Sequence, residues 1–83
     1  MNRAEIREEL NKIFIDVFDS DNIALNEDTS FDSIEDWDSL NQVNILVQME
    51  KAFNIKFGLN EVGAVFSSGN VSGLINHIES KLS

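Results

Sequence analysis

Cysteine is absent from this chain of 83 residues, which removes both a disulfide framework and a thiolate metal site and leaves helix packing to supply the stability. A reducing compartment suits such a chain. Proline is also absent, and there is neither strand-like alternation beyond a few residues nor an internal repeat. These absences favour a small all-α bundle. Basic side chains are scarce, six against fifteen acidic ones for a net charge of −9. That field repels nucleic acid and draws in partners with basic patches, raising encounter rates more than final affinity. The single histidine, His77, falls late in the last predicted helix as an exposed side chain, so neither a serine–histidine pair nor a metal set is expected. Paired-carboxylate hydrolysis needs a water-excluding cleft for which so small a bundle has little room. No apolar run approaches a membrane span, and Met1-Asn2-Arg3-Ala4-Glu5 lacks the basic-then-apolar pattern of an export signal. The expectation is a cytoplasmic monomer without membrane insertion, one domain over residues 1–83, and no enzymatic activity of its own.

The apolar residues that are present fall at helical spacing. Ile6, Leu10, Ile13, Phe14, Val17 and Phe18 form one stripe, and Asn2 with Glu5 three residues later predicts a cap for that helix. A second run covers Leu40 to Phe53. A third reads Val71, Leu74, Ile75, Ile78 and Leu82 behind an Asn70 cap. Gly58 to Phe66 has room for a short helix weakened by Gly63. The architecture predicted is therefore a four-helix bundle, three main helices plus one short one, with a long loop between the first and second. That loop, Ser20 to Trp37, is too long to be idle in a compact domain unless its own side chains pin it. Ile23, Leu25, Phe31, Ile34 and Trp37 are the candidate pins. Trp37 is a packing residue with a second possible role in fixing the segment that follows it.

Acidic residues crowd Asp16 to Asp38, and the plain reading is a solvated face and loop. Asp19-Ser20-Asp21-Asn22-Ile23 lacks the alternating ligands, glycine and closing glutamate of an EF-hand loop. Stepping Leu40 to Phe53 at about 100° per residue separates two faces. Ile45, Leu46, Met49, Ala52 and Phe53 point to the core. Leu40, Asn44, Val47 and Lys51 lie opposite, with Val43 and Glu50 nearer the edge. Two apolar residues thus sit outward, by accident of exposure or as a partner-docking face. Ser39, at the mouth of this helix, has two local readings. Ser39-Leu40-Asn41-Gln42 fits a capping box, or Asp38 is the cap and leaves the Ser39 hydroxyl free.

Asp38-Ser39-Leu40, with Phe31-Asp32-Ser33-Ile34-Glu35-Asp36-Trp37 before it and Met49-Glu50-Lys51-Ala52-Phe53 closing the helix after it, resembles the attachment region of acyl carrier proteins. The resemblance continues through Ile55-Lys56-Phe57, the short segment and the final amphipathic helix. It implies that Ser39 carries 4'-phosphopantetheine, moved from coenzyme A by a phosphopantetheinyl transferase, with magnesium needed only during transfer and Asp38 in metal contact or positioning. The arm's thiol would hold acyl groups as thioesters, so a chain without cysteine still carries thiol chemistry. Leu40, Val43, Asn44, Val47 and Lys51 would dock acyl-activating, acyl-transfer or condensing enzymes. Where housekeeping carriers usually have a small residue before the motif and acids on the following helix, this chain has Asp36-Trp37, Asn44 and Lys51. That pattern resembles a stand-alone carrier of a specialised fatty-acid, polyketide or surface-polysaccharide pathway. An aminoacyl or peptidyl carrier, and an acidic helical interaction module without an arm, are the alternatives. A cavity between the second and last helices is where a sequestered chain would lie.

Overall fold

The computed structural model describes residues 1–82. Helix α1 spans Arg3–Phe18, α2 Ser39–Phe53, α3 Val62–Val65 and α4 Val71–Leu82. No strand occurs among the described residues, only an isolated bridge between Ser30 and Asn70. The caps explain the boundaries. Asn2 accepts from the Glu5 N–H at 2.9 Å while the Glu5 carboxylate accepts from the Asn2 N–H at 2.9 Å, so the predicted capping box starts α1. Asp19 ends it in the left-handed region, φ 51°, and Asn54 ends α2 in the same way at φ 55°. Both are residue types that tolerate this conformation better than most. Asn70 Oδ1 accepts from the Gly73 N–H at 3.0 Å and caps α4 as the sequence predicts.

The core is the inner stripe of each helix. Ile6, Leu10 and Phe14 of α1, Ile45 and Met49 of α2, and Leu74, Ile75 and Ile78 of α4 are completely buried. The buried residues of α2 match the predicted inner face except at Ala52, which is exposed. Ala52 sits at the edge of the buried arc in the last turn, where a single methyl is too short to reach cover. His77, expected to be exposed, is half-buried against the bundle. The short helix α3 forms around Val65, and Gly63 within it faces open space.

The long loop is ordered by its own side chains. Leu25 and Phe31 are buried, and Ile23, Ile34 and Trp37 pack against the core. A 3-10 turn at Phe31–Ser33 interrupts it. Backbone bonds tie the loop to the start of α4, from the Phe31 N–H to Gly69 O at 2.9 Å, Val71 N–H to Thr29 O at 3.0 Å and Ser72 N–H to Glu27 O at 3.0 Å. Gly69 takes φ 76° at this crossing, a conformation open to glycine at little cost. The Arg3 guanidinium closes the same corner, reaching Glu27 at 2.6 Å and Glu79 at 2.6 Å, with Asn76 Oδ1 accepting at 2.7 Å. One side chain thereby joins α1, the loop and α4.

Candidate functional site

Ser39 owes its position to the residues before it. Trp37 lies flat on Phe31, with ring centroids 4.7 Å apart and planes 4° from parallel. Phe14 and Phe18 stack on it at 6.0 and 6.1 Å, and Phe66 meets it edge-on at 5.9 Å. These contacts fix the chain two residues upstream of the serine, so Trp37 fulfils both roles suggested by the sequence. Asp36 bends the backbone through φ 66°, and its carbonyl accepts from Asn41 Nδ2 at 3.1 Å. Two residues, Trp37 and Asp38, then lead into α2. Asn41 belongs to this arrangement although the sequence reading gave it no role; its amide contact across the helix start has no local sequence signature.

Between the two readings of the helix start, the geometry selects Asp38. Its Oδ1 accepts from the Asn41 N–H at 2.7 Å, and its carbonyl accepts from the Gln42 N–H at 2.9 Å. Ser39 is the first helical residue and exposed, and its hydroxyl makes no hydrogen bond among the described residues. The N–H groups of Ser39 and Leu40 also have no partner within the described chain. A free hydroxyl beside unpartnered amides at the positive end of a helix is suited to carry a phosphate ester.

The outward face of α2 is as the sequence predicts. Leu40 is 69% exposed, Val43 49% and Val47 39%, and Asn44 and Lys51 are exposed with them. Glu50, at the edge, is turned away, its Oε2 accepting from the Phe57 N–H at 2.9 Å. The crowded acids of the loop are mostly solvent-facing. Glu27 is the exception: the Arg3 hydrogen bond holds its carboxyl below the usual range, against a smaller opposing effect of burial. The same bond raises Arg3 further. Glu61 is likewise lowered, by Lys81. These partnerships link elements away from Ser39 and are structural. A cleft of about 330 Å³ lies along the loop between Phe18, Ile23, Ile34 and Asp36. It lies away from the interior between α2 and α4, where Ile45, Met49, Leu74 and Ile78 are fully buried. Among the described residues no group of His, Cys, Asp and Glu converges as a metal set, and no helix is long and apolar enough to cross a membrane.

The chain is similar to a holo acyl carrier protein from Geobacter metallireducens, solved by NMR in solution. The two share 39% identity over 90% of this chain and 83% of that one, with a TM-score of 0.76. The family described as "Phosphopantetheine attachment site" matches residues 5–78. The chain is a member of the acyl carrier protein family. No curated protein matches it. As an acyl carrier protein it is a carrier and not an enzyme, and it bears a covalent 4'-phosphopantetheine. Such carriers work with phosphopantetheinyl transferases and with enzymes that handle acyl groups. The free hydroxyl and amides at the start of α2 fit the group, whose thiol supplies the thioester chemistry that this carrier's own side chains lack.

Proposed function

We propose that Ser39 is the attachment residue and that the protein holds acyl intermediates for a specialised fatty-acid, polyketide or surface-polysaccharide pathway. The observation that carries the assignment is the exposed Ser39 hydroxyl, left free because Asp38 takes over the cap. Asp38 keeps its second carboxylate oxygen for a magnesium ion during transfer, and the first-turn N–H groups of Ser39 and Leu40 steady the linking phosphate. Leu40, Val43, Asn44, Val47 and Lys51 receive the enzymes that load and unload the arm. The specialised setting is supported by the outward face of α2, which lacks an unengaged carboxylate. Its cytoplasmic location and monomeric state belong to the same proposal.

Intact mass after incubation with coenzyme A, magnesium and a broad-specificity phosphopantetheinyl transferase tests this reading. Wild type is expected to gain the mass of one phosphopantetheine and Ser39→Ala none. A gain in Ser39→Ala, or none in wild type with several transferases, overturns the assignment.

A further inference from the structure

Four of the six cationic side chains of this acidic protein are engaged. Arg3 is paired with Glu27 and Glu79, Arg7 donates to the Leu25 carbonyl at 3.2 Å, Lys12 pairs with Glu9 at 3.3 Å and Lys81 with Glu61 at 2.7 Å. Lys51 and Lys56 make no hydrogen bond or ion pair among the described residues. Both are exposed, Lys51 in the last turn of α2 and Lys56 three residues past the end of that helix. A lysine in the last turn is favoured by the helix dipole, which accounts for Lys51 but not for Lys56 beyond the helix.

At the other end of α2 the charge is reversed. Glu35, Asp36 and Asp38 are exposed in the segment that leads into Ser39. Between the two ends run exposed Leu40, Val43 and Val47 with uncharged Asn44, all within one stripe of the helix surface. From Ser39 to Lys51 the helix rises about 18 Å. Acid, apolar strip and base therefore follow one another in that order, from the segment before Ser39 to Lys51 on the same stripe, with Lys56 just past the end of the helix.

We propose that this stripe is a bipolar docking surface, and that the acyl-handling partner has a complementary one. That partner presents an apolar groove, cationic at the mouth where the arm passes and acidic about 18 Å away, opposite Lys51 and Lys56. A uniformly basic groove meets like charge at the Lys51 end and is rejected there. The opposed ends also fix the direction in which α2 lies, delivering Ser39 to the mouth in one orientation. The inference rests on Ser39 being the attachment residue.

The test uses the holo protein. Wild type and Lys51→Glu/Lys56→Glu are first loaded with phosphopantetheine and checked by intact mass and circular dichroism. Each is then offered, with malonyl-coenzyme A, to a fatty-acid malonyl transferase whose carrier-docking patch is rich in lysine and arginine. The double variant is expected to be the better substrate, with kcat/KM about 10-fold higher at low salt and a difference that shrinks at about 0.5 M salt as screening sets in. Reversing the transferase's own distal patch residues to glutamate should invert the order. Equal or better transfer to wild type by the basic enzyme, or no inversion, overturns the bipolar surface while leaving the carrier assignment intact. Failure of wild type to gain the arm overturns both.

Discussion

Asp38 performs a task that the neighbouring serine was equally eligible to perform, and much follows from that exchange. With the cap assigned to the aspartate, Asp38→Ala removes the acceptor of the Asn41 N–H and is expected to cost about 0.5–2 kcal/mol in urea denaturation. Asp38→Ser restores a cap and most of the stability. If Asp38 also positions magnesium, Asp38→Ser should still be modified slowly by the transferase, separating the two duties. Gly69 offers a different residue-level contrast. A Cβ there would touch nothing, yet φ is 76°. Gly69→Ala is therefore expected to lose roughly 1–2 kcal/mol by conformation alone, measurable as a shift in the urea midpoint. The capping residues were legible because their chemistry is local. Asp38 and Ser39 were both visible as candidates, but choosing between them required the hydrogen bond itself. Ala52 was misplaced because angular position says nothing about whether a short side chain reaches cover.

At the scale of elements, α2 presents one face to the core and one to partners, and substitutions on the two should behave differently. Met49→Ala empties space in a fully buried site and is expected to cost about 2–5 kcal/mol. Val47→Glu, on the outward face, should change stability by no more than about 0.5 kcal/mol while slowing acyl transfer from partner enzymes. Unfolding of Val47→Glu would refute the outward assignment. This helix could be read from sequence because a period near 3.6 residues over a long run is a strong signal. The loop could be read only in part. Its pins Leu25, Phe31 and Trp37 were recognisable as apolar residues in a polar stretch, but the bridge from Ser30 to Asn70 was not. Backbone pairing between distant segments leaves no mark on side-chain pattern. Gly73 illustrates the same limit: its hydrogen stands where a Cβ would lie 1.8 Å from Ser68 Oγ, a crowding known only once the turn before α4 is seen.

For the whole molecule, the distribution of charge matters more than its total. Glu27 and Glu61 are both lowered from an ordinary value of 4.5 by hydrogen bonds to Arg3 and Lys81. A depressed carboxyl stabilises the fold above its unfolded pKa, and the contribution is lost as pH falls through the folded value. Stability from these two contacts is thus complete at neutral pH and declines below about 4.5. Protonation also relieves the mutual repulsion of an acidic chain, so the informative quantity is a difference. The gap in urea midpoint between wild type and Arg3→Leu should narrow steadily as pH is lowered from 6 toward 3. A constant gap would mean that Arg3 acts by packing alone. Nothing in the sequence distinguished Arg3 from any surface cation, because its partners lie 24, 69, 73 and 76 positions away.

That same separation bears on the order in which the chain assembles. A contact spanning nearly the full length of the protein, made by a side chain that remains partly wet, can form only once α1 and α4 have met, and it is expected on the native side of the folding barrier. Arg3→Leu should accordingly leave the refolding arm of a chevron plot almost unmoved and raise the unfolding arm. The guanidinium is then a brake on opening, and the lifetime of the folded carrier between acyl transfers depends on it more than the speed with which that fold is reached.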